Sequence, residues 1–160
     1  MVEIVRPGGS WSEICMPTTA GDAFLPDFRG RPPHMSEEDF AIWQRWWPFN
    51  RAGVTRMWFD VGLGMPDELP ETPDAAGLGG WIRINQKRVD VVIDREGVIE
   101  IVELRAGATL NAVGRLLGYG LLWGDDPVVP GPVKLILVTD RRDAEVERLA
   151  VRSGIRYVVA

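Results

Sequence analysis

The sequence predicts a three-layer α/β domain with a mixed central sheet, and three observations carry that expectation. Two β-branched runs, Arg88 to Ile93 and Val98 to Arg105, flank the polar stretch Asp94-Arg95-Glu96-Gly97 and read as a hairpin. Beyond Arg105, a helical pattern, a strand, a second helical pattern and a last strand follow in turn, which lays helices on the faces of a sheet. Between them, Val133 to Thr139 is an apolar run without strict alternation, the mark of a strand buried on both sides. A chain of 160 residues suits one domain with a sizeable core.

From the N-terminus, Met1 to Pro33 is broken repeatedly by proline and glycine and shows no sustained period. The expectation is an extended arm over residues 1–35 that lies along a neighbouring subunit, with Trp11, Phe24 and Phe28 as its anchors. The domain proper then spans 36–160. Ser36 followed by Glu37, Glu38 and Asp39 reads as an N-cap with acids in the first turn. Phe40, Trp43, Trp46 and Trp47 form a core-facing stripe, and Pro48 ends the helix.

Val54 to Gly62 is expected as a strand, with Met57, Phe59 and Val61 on one face and Trp58 and Asp60 on the other. Gly62 to Gly80 is a loop rich in proline, glycine and acid. Trp81 to Ile84 starts the next strand, a turn near Asn85 to Lys87 interrupts it, and Arg88 to Ile93 continues it. In the helix after Arg105, the spacing of Leu110, Val113, Leu117 and Leu121 predicts the core stripe, with Gly114 and Gly118 turned to the sheet. Arg115 and Tyr119 share one face of it. Asp143 to Ser153 is a helix packing through Val146, Leu149 and Ala150, and Gly154 is its C′ glycine.

Composition narrows the chemistry. The net charge of −5 is opposite to the footprint of a protein that binds DNA tightly on its own. Cys15 is the only cysteine and His34 the only histidine, so neither an intrachain disulfide nor a zinc cluster is expected. Leu78-Gly79-Gly80 is not a phosphate loop, because no Lys-Ser/Thr follows. The start of the chain lacks the layout of a signal peptide, and no apolar run approaches membrane-spanning length; the expectation is a soluble intracellular or virion protein with no membrane partner.

One constellation remains. Strand alternation puts Ile99, Ile101, Glu103 and Arg105 on one side, with Asp90 on the neighbouring strand. Two carboxylates with a nearby cation supply hard oxygen ligands and positive charge, the needs of a hydrolytic Mg2+ site. Lys87, Arg88, Arg105, Arg115, Arg141 and Arg142, scattered in the sequence, are expected first as solvated surface cations, with a phosphate-facing ring around the strand ends as the alternative.

These residues resemble the PD-(D/E)xK nuclease superfamily. The pattern is an aspartate, a hairpin, Glu-x-Lys, and a helix with a Gly-Gln-x-x-x-Tyr-like motif. More narrowly, the chain resembles tailed-phage proteins of that fold encoded among virion genes. The counterparts here are the helix Phe40 to Trp47, Phe59-Asp60-Val61, Val89-Asp90-Val91-Val92, Glu103-Leu104-Arg105-Ala106-Gly107, and then Leu110, Ala112, Val113, Gly114 and Arg115. The resemblance implies a restriction-endonuclease-like core, with Asp90, Glu103 and the Leu104 carbonyl on Mg2+ or Mn2+. A first-helix glutamate, Glu37 or Glu38, would join them.

Two departures alter what the resemblance implies. The lysine position is Arg105 and the helical glutamine is Arg115. Lysine can lose its proton when buried, whereas arginine stays charged and cannot serve as a base. The reading put first is therefore a virion structural protein of the head–tail junction, neck or tail. Its site would be degenerate and without cofactor, its partners copies of itself and other virion proteins, and its assembly in the host cytoplasm. One alternative is a cytoplasmic Mg2+-dependent DNA nuclease using Asp90, Glu103 and Arg105. Another is a non-catalytic DNA-binding module contacting nucleic acid through Arg115, Tyr119, Lys87 and Arg88.

Overall fold

A computed structural model describes residues 18–64, 80–82 and 84–160; Trp11, Cys15 and most of the acidic loop lie outside the described residues. Helix α1 spans Glu37–Trp46 and leads into a 3-10 turn, Trp47–Phe49. Strand β1 is Val54–Leu63, β2 Lys87–Arg95 and β3 Val98–Arg105. Helix α2 is Leu110–Asp125, β4 Val133–Thr139, α3 Ala144–Arg152 and β5 Ile155–Val159. The sheet runs in the order β1-β2-β3-β4-β5, so the chain advances one strand at a time across it. The first two pairings are antiparallel and the last two parallel, which makes the sheet mixed as expected.

Each face of the sheet carries its own apolar cluster. Met57, Phe59, Val91, Ile93, Val102, Leu104, Ile136 and Val138 pack under α1 with Ile42, Trp43 and Trp46. Trp58, Ile99, Ile101 and Leu137 pack with Leu116, Tyr119 and Trp123 of α2 and with Val146 and Ala150 of α3. The three layers follow from that division. Trp43 and Trp47 stack with ring centroids 4.6 Å apart, and Phe59 meets Trp43 edge-on at 5.5 Å, so the tryptophan stripe is core.

The ends of the elements follow local chemistry. Ser36 Oγ accepts from the Asp39 amide at 3.1 Å and caps α1. The hairpin turns at Glu96 and Gly97, whose φ angles of 51° and 86° are those a two-residue turn of the mirror-image type requires. Asp94 and Glu100, the other acids of the hairpin, are structural. Arg56 pairs with Asp94 at 3.2 Å, and Arg95 grips both Glu100 oxygens at 3.0 Å while also reaching the Asn50 carbonyl. Among the described residues, no helix is long and apolar enough to cross a membrane.

Four local expectations are corrected. Residues 80–82 and 84–85 are helical rather than extended, held by the Asn85 side-chain amide on the Trp81 carbonyl and by the Gln86 amide on the Ile82 carbonyl. In α2 the buried stripe is Ala112, Val113, Leu116, Tyr119 and Trp123, while Leu110, Leu117 and Leu121 are exposed. Both stripes fit a helical period, and the bulk of Tyr119 and Trp123 decides which one faces the sheet. Correspondingly, Gly120 approaches Leu135 of the sheet, whereas Gly114 and Gly118 face open space. Leu149 of α3 is also exposed, leaving Val146 and Ala150 as its buried residues.

The arm is described from Thr18 onward. Thr19 bridges to Gly62 and Phe24 to Met57, so this stretch lines the outer edge of β1. Phe24 and Phe28 pack against each other and against Phe59 within the same chain, at centroid distances of 4.7, 5.1 and 5.7 Å. Covering the β1 edge in this way removes an unpaired row of backbone groups.

Candidate functional site

The site sits where the sheet forks. Paired register between β2 and β3 runs from Arg95↔Val98 to Val91↔Val102 and stops there. Pairing of β1 with β2 continues to Leu63↔Lys87, and that of β3 with β4 to Arg105↔Thr139. Past Val91 the two central strands separate, and a side chain replaces the missing ladder bond: the Leu104 amide donates to Asp90 Oδ2 at 2.8 Å. The sequence then requires Glu103, next to Leu104, to point to the α2 side.

A backbone irregularity accompanies the fork. Asp60 on β1 has φ 53°, and there the alternation of β1 inverts. Phe59 packs under α1, yet Val61 and Leu63 pack on the opposite face with Trp58. This corrects the single-face expectation for Met57, Phe59 and Val61, since a left-handed residue breaks the two-residue period. Arg88 holds the irregular position, donating to the Asp60 carbonyl at 2.8 Å and pairing with its carboxylate at 3.5 Å. Asp60, Asp90, Pro33, Met35 and His34, whose φ is 60°, line one small cleft. Non-glycine residues in the left-handed region gather at functional positions more often than elsewhere.

Glu103 is 1% exposed, and its two oxygens differ. Oε1 lies 3.3 Å from an Arg115 terminal nitrogen, while Oε2 is buried without a hydrogen-bond partner among the described residues. Arg115 also donates from Nε and from its second terminal nitrogen to the Tyr119 hydroxyl, at 2.9 and 2.7 Å. Tyr119 is itself buried, so the guanidinium is fixed from below. Arg105, at the end of β3, is exposed, and its charge lowers the pKa of both acids without a hydrogen bond or ion pair to either among the described residues.

Burial is the largest influence on both carboxyl groups and pushes them upward, Asp90 to about 6 and Glu103 to about 8. Mutual repulsion adds to the rise of Glu103, and Arg115 and Arg105 oppose it. A contact with Arg115 argues for an ionised Glu103, whereas burial beside Asp90 argues for a protonated one. The two statements are reconciled if the acids share one proton near neutral pH and Arg115 answers the single charge that remains. Burial also raises the Tyr119 hydroxyl, keeping it a neutral acceptor for Arg115.

The sequence-predicted residues thus separate into groups. Asp90, Glu103, Arg105, Arg115 and Tyr119 are brought together. Arg88 is engaged with Asp60, and Lys87 is exposed at the start of β2. Arg141 and Arg142 line a different pocket, of about 320 Å3, with Gly107 to Leu110. The residue missed is Asp39, whose charge raises both acids. Glu37 and Glu38, put forward from the resemblance, are exposed. Helical spacing contained the signal: Asp39 is three, four and seven residues before the buried Ile42, Trp43 and Trp46, and so lies on the sheet-facing stripe.

The resemblance implies a divalent cation, and the oxygens present do not fit one as they are arranged. The obstacle is Arg115, whose terminal nitrogen stands 3.3 Å from Glu103 Oε1; Asp90, which accepts from the Leu104 amide through Oδ2, keeps acceptor capacity. Among the described residues, no group of three or more His, Cys, Asp or Glu side chains stands together to hold a metal. Neither a protein-family model, nor a curated protein, nor a solved structure matches the chain.

Proposed function

We propose that the protein is a structural component of a tailed-phage virion, at the head–tail junction or in the tail, built on a nuclease-like fold whose site no longer carries out hydrolysis. The observation that carries this reading is Arg105. It occupies the one strand position beside the acid pair from which the superfamily's lysine would work, and it is exposed, with no hydrogen bond or ion pair among the described residues. A permanently protonated guanidinium cannot accept a proton from water. The sheet order, with an antiparallel hairpin joined to a parallel half, supports a restriction-endonuclease-like core. The head–tail assignment rests on the resemblance to phage proteins.

Assembly needs a surface, and α2 offers one. Leu110, Leu117 and Leu121 are 53%, 38% and 74% exposed along the side of the helix away from the sheet, with Gly114 and Gly118 open between them. An apolar stripe along one helix face is suited to packing against another surface. We place the interface between copies there. Native mass measurement of the full chain tests it: an oligomer is expected that L117E/L121E reduces to monomer. A monomeric wild type would overturn the assembly reading.

The retained acids favour a second reading, a metal-dependent deoxyribonuclease, because a buried carboxylate pair at a strand fork is what such chemistry uses. A plasmid-cleavage assay with Mg2+ or Mn2+ separates the two. The scaffold reading expects no cutting; cutting that disappears in Asp90→Asn would make the protein an enzyme.

A further inference from the structure

Arg105 explains why a base is missing, but it does not explain what balances the buried acids. Arg105 is exposed and touches neither carboxylate, so solvent screens it. Arg115 is exposed as well, its side chain 41% accessible, but it is tethered. One of its terminal nitrogens is 3.3 Å from Glu103 Oε1, and the rest of its fork is spent on the hydroxyl of Tyr119, a residue only 4% exposed. Two donors on a single hydroxyl oxygen orient the guanidinium plane and hold its third nitrogen toward Glu103.

We infer that Arg115 is a built-in counter-ion that occupies the cation position of the Asp90–Glu103 pair and bars a divalent metal ion from it. The inference rests on the scaffold reading and locates the closure of the site on helix α2 rather than on β3. Glu103 Oε2 is buried without a hydrogen-bond partner among the described residues, so one carboxylate oxygen is left over that a single guanidinium at Oε1 does not satisfy. A divalent ion on that oxygen would meet a positive charge held 3.3 Å from the other oxygen of the same carboxylate. A neutral residue at position 115 would remove the repulsion and leave both carboxylates and the fork of the sheet as they are.

Binding of Mn2+ alone to the full-length protein, followed by electron paramagnetic resonance, tests this without reference to any activity. Wild type and Arg105→Gln are expected to leave Mn2+ free. Arg115→Gln is expected to bind one ion at least about tenfold more tightly, and Arg115→Gln combined with Asp90→Asn to lose it. Tyr119→Phe removes the oxygen that holds the fork and is expected to gain Mn2+ affinity in the same direction, giving a second route if the first variant folds poorly. Arg115→Lys keeps a positive charge and is expected to stay silent. Equal Mn2+ affinity in wild type and Arg115→Gln, whether high or absent, would overturn the inference, and so would Arg105→Gln matching Arg115→Gln. Cleavage of DNA by the wild type would overturn the scaffold reading instead. Gain of Mn2+ by Arg115→Gln without cleavage supports both, because Arg105 still supplies no base.

Discussion

Raising the pH is expected to destabilise this protein across the neutral range, and the acid pair fixes both the sign and the size. Asp90 and Glu103 ordinarily titrate near 3.8 and 4.5; in the folded protein burial raises them to about 6 and about 8. Groups raised in this way bind protons more tightly folded than unfolded, so their stabilising contribution is complete below the unfolded values and is lost as pH rises through the folded ones. Between pH 6 and pH 8 the folded pair holds about one proton that the unfolded chain has released. That difference is worth about 1.4 kcal/mol per pH unit, or roughly 2–3 kcal/mol over the interval. Urea unfolding followed by tryptophan fluorescence, with Trp43, Trp46, Trp58 and Trp123 all buried reporters, measures it at pH 6, 7 and 8. Glu103→Gln, neutral at every pH, is expected to flatten the curve. A wild-type midpoint that holds level or rises over this range would refute the assignment of a shared proton to the pair.

Asp90→Ala leaves the Leu104 amide without its acceptor and is expected to cost about 1–3 kcal/mol, whereas Asp90→Asn keeps an acceptor and sheds the buried charge, so at pH 8 Asn should be the more stable of the two by urea unfolding. Glu100→Ala breaks a nearly buried, two-pronged pair with Arg95 and is expected to cost about 2–3 kcal/mol, while Glu147→Ala, which removes the exposed pair with Arg142, should leave the midpoint unchanged. Gly131→Ala would place a Cβ 2.4 Å from the Gly97 carbonyl and is expected to cost about 1–3 kcal/mol, read as a lower thermal midpoint.

The fold was legible wherever two signals agreed. In the hairpin, β-branched runs coincided with a polar turn ending in Gly97, and observed β2 and β3 fall on those runs. At α1, a capping serine, first-turn acids and Pro48 bounded a tryptophan stripe that packs as expected. Legibility failed where one periodicity admitted two answers. Helix α2 carries leucines on one face and large aromatics on another, and period alone does not rank them. The site was half legible for a related reason. Asp90 and Glu103 could be paired from strand alternation, but the engagement of Glu103 by Arg115 depends on how α2 is rotated. The left-handed backbone at Asp60 was not legible, because neither it nor the hydrogen bond that Arg88 donates to its carbonyl from the neighbouring strand shows in a strand pattern.

Retention of both acids is the strongest sequence argument for catalysis, and the geometry weakens it. Asp90 has work to do in the fold: where β2 and β3 part, its carboxylate caps the Leu104 amide that would otherwise be left without a partner. Glu103 in turn anchors Arg115, which is tied to Tyr119 and through it to the core beneath α2. Each acid therefore has a structural use that requires no chemistry. Arginine at 105 and 115 has no such excuse, since neither position needs a guanidinium to complete the sheet. The cations beside the acid pair, Arg105 and Arg115, are therefore what the proposed loss of hydrolysis turns on, and both are of the kind that hold a charge permanently rather than exchange a proton.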